Sequence, residues 1–355
     1  MVMYEGAEND LPSPAMNRMA LIRADGSADM GMGHLVRCMA LADALSEASC
    51  TVHLATCHPE CIPDWVLSGF SGEVHAVPPR LAQSDDAAYC MALCESLQQP
   101  DWVIVDHYEL DARWHNPVRG AGSAILALDD LANRPLDAQL VLDQNRIQAD
   151  ADAAYAMHVS DETTLLAGPA YALLRTPFLK PPQPLDGEGA RVLVCMGGAD
   201  DGMATAAALR AVLDCGVAVH VDVIVGLEAA AHAARAVPCP GHSTVSVHIG
   251  EPDMAGRIAG CRAAVSAAGS TVWQMACLGV PMVLWVAADN QQVVADLACS
   301  AGAAEQVDEM DVQATSCTMA SMLQHPERLL EMSHAGRRLV DGQGARRVIE
   351  AMQLA

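Results

Sequence analysis

The stretch MALIRADGSADMGMGHLVR, residues 19–37, joins a short apolar run to a helical pattern through a turn rich in glycine and aspartate. Residues 19–22 have the length and composition of a buried strand, and a helix of Ala, Leu and Met follows the turn. Gly31 and Gly33 would let the backbone approach a ligand closely, although glycines in such a turn can also meet steric needs alone. Strand, turn and helix in this order predict the first unit of a parallel α/β sheet.

The same rhythm continues along the chain in two series separated by a breaker-rich stretch. Strand-like runs are predicted at residues 19–22, 51–55, 102–105, 124–128 and 140–142, and again at 191–195, 218–225, 245–249, 263–266 and 282–286. Prolines and glycines crowd residues 177–190, which predicts a linker there. We therefore expect a leader at 1–17, a first α/β domain at 18–176 and a second at 191–355 with terminal helices, with a cleft between the two domains.

Composition limits the class of protein. The chain has 355 residues, 52% of them hydrophobic, which is enough for two cores. No run is long and apolar enough for a membrane span and the first residues do not resemble a secretory signal, so a cytoplasmic protein is predicted. The formal charge of -24 disfavours nucleic acid as a partner. No heptad seam or apolar stripe indicates an oligomeric state.

The cysteines do not indicate a metal site. There are 13, scattered through apolar runs, and we interpret them as reduced core thiols. Two cysteine pairs could be considered as zinc ligands: Cys57 and Cys61, which flank His58, and Cys90 and Cys94. In each pair three residues lie between the cysteines, whereas zinc sites usually have two. No metal ligand and no cofactor is therefore predicted.

His34 is the first candidate for chemistry. The positive end of a helix disfavours imidazolium, so a histidine in the first turn is expected to stay neutral and able to act as a base. The ring could equally cap or pack in the turn. Polar groups also follow two strands of the first series, with Asp106 and Tyr108 after one and Asp129 and Asp130 after the next. Ligands bind at that edge of open α/β sheets, but aspartates there can also be caps.

The second series has three segments of this kind. Gly197 and Gly198 join a strand to a helix and could present amides to a phosphate. Ser270 and Thr271 begin another helix, where they could cap it or bind diphosphate oxygens. Residues 289–292 supply Asn and Gln amides, which could orient hydroxyls and water, or begin a capped helix.

Together these segments resemble the UDP-2,4-diacetamido-2,4,6-trideoxy-β-L-altropyranose hydrolases of pseudaminic acid biosynthesis, relatives of MurG-like glycosyltransferases. The resemblance covers about residues 19–292 and implies the α/β GT-B fold, with two Rossmann-like domains facing a cleft. By resemblance, His34 is the catalytic histidine, and Tyr108 and Asn290 lie beside the sugar and the attacking water. Substrate-binding residues implied by the same match are Arg23, Asp25, Gly31, Gly33, Arg37, Asp106, Gly197, Gly198, Ser266, Gly269, Ser270, Thr271, Gln274 and Gln291.

One position departs from the pattern. Gln274 stands where MurG-like proteins often have a glutamate that holds the ribose hydroxyls, and an amide lacks the charge-assisted part of that hydrogen bond. The implied reaction is metal-independent hydrolysis of the UDP-sugar with inversion, and the implied partner is that small molecule. A GT-B glycosyltransferase that uses a UDP-amino sugar and a non-catalytic nucleotide-sugar sensor remain the alternatives.

Overall fold

The protein is described here from a computed structural model, which covers residues 18–26, 31–179 and 190–353. The predicted leader at 1–17 lies outside the described residues, as do residues 180–189 of the predicted linker.

The described residues form two parallel sheets. The first contains β1 Met19–Ala24, β2 Thr51–Thr56, β3 Glu73–Ala76, β4 Trp102–Asp106, β5 Ala124–Leu128, β6 Leu140–Asp143 and β7 Thr164–Ala167, in the order β3-β2-β1-β4-β5-β6-β7. The second contains β8 Ala190–Cys195, β9 Val219–Val225, β10 Thr244–Ile249, β11 Ala263–Ala267, β12 Met282–Trp285 and β13 Ala304–Gln306, in the order β10-β9-β8-β11-β12-β13. Two α/β series are thus confirmed.

Helices connect these strands. In the first half they are α1 Gly33–Glu47, α2 Asp64–Leu67, α3 Gln83–Ser96, α4 Ala112–Gly120 and α5 Gln148–Tyr155. The second half contains α6 Met203–Leu213, α7 Glu228–Arg235, α8 Met254–Ala259, α9 Thr271–Leu278, α10 Gln292–Ser300, α11 Val312–Gln324, α12 Pro326–Leu339 and α13 Gly344–Ala351. Short 3₁₀ turns, such as Asp289–Gln291, complete the connections.

Strand order places the candidate residues. In both sheets the order reverses beside the first strand, between β1 and β4 and between β8 and β11. Ligands of open α/β sheets bind at such a switch point, outside the carboxyl ends of the strands. The predicted residues after β1, β4, β8 and β11 therefore lie at the two switch points.

The last helix, α13, packs against the first half of the molecule, although it follows the second half in the sequence. Sequence analysis grouped the terminal helices with residues 191–355, but α13 packs against α1. Its apolar residues Ala345, Val348 and Ile349 belong to the core beneath α1, together with Met352. The chain therefore crosses between the halves a second time. The apolar face of α13 covers part of the first core.

Candidate active site

His34, the second residue of α1, forms a pair with Asp106 at the end of β4. Nδ1 of His34 lies 2.5 Å from Oδ1 of Asp106, and both side chains are buried. A carboxylate can only accept, so we assign the proton of the neutral ring to Nδ1. Nε2 then keeps a lone pair and is the nitrogen able to take a proton from water.

Arg37, one helical turn after His34, also holds this carboxylate. Its Nε and Nη2 donate to the two oxygens of Asp106 at 2.6 and 2.7 Å. Burial alone would raise the pKa of Asp106, but Arg37 and His34 lower it well below its usual range. Asp106 therefore stays ionised and fixes the orientation of the His34 ring.

Tyr108 stands beside the histidine. Its ring meets that of His34 edge to face, with centroids 4.6 Å apart, and 37% of the residue is exposed. Burial and the neighbouring carboxylate of Asp130 raise the pKa of the Tyr108 phenol well above its usual value. The Tyr108 phenol therefore stays protonated, and its hydroxyl could orient water or a sugar hydroxyl.

A line of hydrogen bonds runs from this pair into the second half. Arg37 donates to Oδ2 of Asp130 at 3.3 Å, and Asn145 donates to the same oxygen at 3.4 Å. The indole N–H of Trp273 in α9 donates to Oδ1 of Asn145 at 2.9 Å. The line therefore connects the histidine pair with a helix of the other sheet.

The amino-terminal ends of α1 and α9 approach each other between the sheets. A Cβ built on Gly33 would lie 4.0 Å from the hydroxyl oxygen of Ser270. Ser270, which precedes α9, makes no side-chain cap bond to it, which leaves that hydroxyl available for a ligand. Both helix termini offer unsatisfied N–H groups and positive partial charge, the features that favour an anion.

The other predicted glycines of the second half leave open backbone around them. Gly197 has a φ of +101°, and a Cβ placed on Gly197, Gly198 or Gly269 would have no neighbour within 4 Å. Gly226, after β9, was not singled out from the sequence, yet a Cβ there would lie 2.3 Å from the carbonyl oxygen of Gly198. Only glycine at 226 allows this loop to press against the Gly197–Gly198 turn.

The predicted amide residues lie at neighbouring strand ends. Asn290 is exposed in the 3₁₀ turn after β12, and Gln274 is half-buried on α9. Gln291 accepts a hydrogen bond from the backbone N–H of Ala287 at 2.9 Å, so its amide oxygen braces its own loop. Asn290 thus belongs to the other half of the molecule from His34 and Tyr108.

Four residues predicted to bind the substrate make internal contacts in this structure. Arg23 is 2% exposed and pairs with Asp86 and Asp25, and Ser266 is 1% exposed and donates to the carbonyl of Cys195. Arg37 and Asp106 hold His34, as described above. Isolated motifs gave no sign of the pairings of Arg23 with Asp86, Ser266 with Cys195 and Arg37 with Asp106, because these partners are far apart in sequence.

Asp25 also makes mainly internal contacts, and its side chain is largely buried. Its Oδ1 accepts the backbone N–H of Cys57 at 2.6 Å, and its Oδ2 lies 3.4 Å from Nε2 of His107. Burial would raise its pKa, but the hydrogen bond with His107 and the Arg23 guanidinium lower it below the usual range. Asp25 therefore remains a fixed anion.

Known structures share the fold of this chain. MurG from Acinetobacter baumannii aligns with a TM-score of 0.65 at 16% identity, covering 95% of this chain and 100% of that one. A putative UDP-N-acetylglucosamine 2-epimerase from Listeria monocytogenes aligns with a TM-score of 0.64 at 14% identity, covering 96% of each chain. The glycosyltransferase VinC, in complex with dTDP, aligns with a TM-score of 0.60 at 17% identity, covering 95% of this chain and 99% of that one.

The chain has the GT-B fold. At these identities the likeness shows the fold and nothing finer. Neither a protein family nor a curated protein sequence matches the chain. In the GT-B frame, the His34 pair and the α9 terminus occupy the facing switch points of the two sheets. Among the helices of the described residues, none could cross a membrane.

Proposed function

We propose that this chain hydrolyses a UDP-sugar at the anomeric carbon. The observation that carries the proposal is the His34–Asp106 pair, placed across a narrow gap from the amino terminus of α9. One side offers a general base and the other offers donors for a diphosphate, which are the two requirements of the reaction.

In the proposed step, a water molecule attacks the anomeric carbon from the face opposite UDP. Nε2 of His34 takes a proton from that water as the new C–O bond forms. The bond from the anomeric carbon to the diphosphate oxygen breaks, and its electron pair leaves with UDP. The sugar is released with inverted configuration, and the ionised Asp106 stabilises the imidazolium that forms.

Stabilisation of the leaving group is assigned to the second half. The net charge of -24 opposes an anionic ligand, so local donors are needed. The open Gly197–Gly198 turn and the α9 terminus at Ser270 and Thr271 supply such donors. UDP is a good leaving group once its charge is spread over these amides, so the step requires neither a metal nor an organic cofactor.

In the proposed division, residues 18–176 hold the sugar and the catalytic histidine, 177–190 link the domains and 191–355 hold UDP. The exception is α13, Gly344–Ala351, which packs in the first core. Gln274 is assigned to the ribose hydroxyls, and Asn290 to the sugar and water. Asn290 would reach the reacting centre from the second half, across the same gap that Gly33 and Ser270 span.

The proposed substrate is UDP-2,4-diacetamido-2,4,6-trideoxy-β-L-altropyranose, which would yield UDP and 2,4-diacetamido-2,4,6-trideoxy-L-altrose for pseudaminic acid biosynthesis. The sugar assignment rests on the ordered motifs of the sequence resemblance. The fold supports use of a nucleotide sugar in general, since the similar structures include glycosyltransferases and 2-epimerases.

Proton NMR of the purified protein with this UDP-sugar, with EDTA present and no added acceptor, tests the proposal. We expect free sugar and UDP to appear at equal rates. If UDP forms only when an acceptor alcohol is added, the protein is a glycosyltransferase. If the compound binds but persists in both conditions, the protein is a sensor and the proposed hydrolysis is wrong.

A further inference from the structure

A cluster of two histidines and a glutamate lies on the first sheet, away from the switch point. His53 is in β2, and Glu73 and His75 are in the neighbouring edge strand β3. The parallel register pairs His53 with Glu73 and Ala55 with His75. Residues i and i+2 of a strand share a face, so all four side chains lie on one face of the sheet.

The ligand atoms of this cluster converge. Nδ1 of His53 lies 3.1 Å from Nε2 of His75, and each of these nitrogens lies 3.9 Å from Oε2 of Glu73. Ligands around a tetrahedral ion with metal–nitrogen distances of about 2.0 Å are separated by about 3.3 Å. The two nitrogens are close to this separation, and the exposed Glu73 side chain needs only a small rotation to complete it.

We propose that His53, Glu73 and His75 form a divalent transition-metal site that fastens β3 to the sheet. Two imidazoles and a carboxylate suit zinc or a neighbouring first-row ion, with water in the remaining positions. Across the described residues, this is the one group of at least three His, Cys, Asp or Glu side chains whose ligand atoms come together.

The surroundings also fit a ligand site. His53 is buried, so its ring is held beside that of His75. The side chain of Ala55, opposite His75, is small and leaves space for the ring to lean towards His53. β3 is short and at the edge, so it gains more from a cross-strand tie than an inner strand would.

This site is independent of the proposed hydrolysis. A bound ion here would stabilise the first half without taking part in the chemistry at His34, and turnover in EDTA would persist. The cysteine pairs predicted no metal ligands, and these histidines were not recognised as candidates. His53 and His75 are 22 residues apart and meet only through strand pairing.

Cobalt(II) titration of the chelator-stripped full chain tests the proposal, after alkylation of the exposed thiols Cys61, Cys239 and Cys317. We expect one equivalent to bind with weak d–d absorption and without thiolate charge-transfer bands, and zinc to displace it. Zinc should also raise the melting temperature, because a ligand that binds only the folded state stabilises it.

Matched variants decide the assignment. His75→Gln should lose the bound equivalent and the metal-dependent rise in melting temperature. Glu73→Gln, at an exposed position that leaves folding intact, should weaken binding by about tenfold or more. His58→Gln is the control, since His58 also has a glutamate 3.1 Å away but belongs to no such cluster. Three outcomes would overturn the proposal: no cobalt binding, thiolate charge-transfer bands, or equal binding by the wild type and both cluster variants. In each case His53 and His75 would share only a hydrogen bond.

Discussion

Oδ1 of Asp106 lies 2.5 Å from Nδ1 of His34, and the two residues are 72 positions apart in the sequence. This bond fixes the tautomer that leaves Nε2 as the basic nitrogen. Loss of this nitrogen should therefore abolish the proposed base.

Replacement of His34 by alanine should remove the base without disturbing the UDP site in the second half. We expect kcat to fall by about two to four orders of magnitude, the usual contribution of a positioned general base. The affinity for UDP, measured by calorimetry, should change little. His242→Ala, at an exposed turn, is the control and should retain wild-type kcat. Unchanged turnover in His34→Ala would remove this residue from the mechanism.

Tyr108→Phe distinguishes the role of the hydroxyl from that of the ring. The edge contact with His34 survives in this variant, whereas the hydroxyl next to Asp130 is lost. If the hydroxyl orients water or sugar, kcat should fall by about tenfold to a hundredfold, the kinetic equivalent of one hydrogen bond to a charged network. Full activity in Tyr108→Phe with a loss in Tyr108→Ala would assign the tyrosine a packing role only.

Gly198→Ala tests the diphosphate site without straining the fold. A methyl group at Gly198 meets no neighbour within 4 Å, and its φ does not require glycine. We therefore expect an unchanged melting temperature and a roughly tenfold weaker UDP affinity, because the methyl group would block close approach of phosphate oxygens. Gly241→Ala, equally open, is the control. Equal UDP affinity in both variants would exclude the Gly197–Gly198 turn from the site.

The hydrogen bond between Trp273 and Asn145 joins the two halves and is suited to a double-mutant cycle. Trp273→Phe and Asn145→Ala each remove one partner of the 2.9 Å bond. The two losses in the free energy of unfolding should be non-additive by about 1 kcal/mol if the bond stabilises the contact between the two halves. Urea denaturation of the four proteins measures this, and strict additivity would mean that the bond contributes nothing.

His115 should make the protein sensitive to mild acid. Burial, with a smaller contribution from Arg134, lowers its pKa to about 4. The unfolded chain takes up a proton near pH 6.5 while the folded chain does not, so stability falls as the pH drops from about 6.5 to about 4. The free energy of unfolding attributable to this residue should decline by about 3 kcal/mol over that range. Urea denaturation of His115→Asn should show a shallower decline, whereas His242→Asn should match wild type.

The inner strands of both sheets could be predicted because they are continuous buried runs. β1 and β4 have four or more consecutive buried residues, as expected for strands covered on both faces. The edge strands β3, β7 and β13 were not predicted, because each is short and partly exposed and so lacks an apolar run.

The positions of the candidate residues could be predicted from the sequence, but their pairings could not. His34 lies at the start of α1 and Asp106 at the end of β4, as the sequence indicates, whereas their hydrogen bond was not predicted. The pairing depends on β1 and β4 being neighbours, which spacing alone does not reveal. Arg23 and Ser266 show the same limit, since their partners come from other strands and helices.

The return of α13 to the first core has a consequence for how the protein is made. Ala345, Val348, Ile349 and Met352 complete the core beneath α1, although the whole second sheet precedes them in the sequence. The amino-terminal half therefore cannot bury that face of α1 until residues 344–352 have been synthesised. A chain released early, or a fragment cut at the linker, would expose this apolar surface to chaperones or to aggregation.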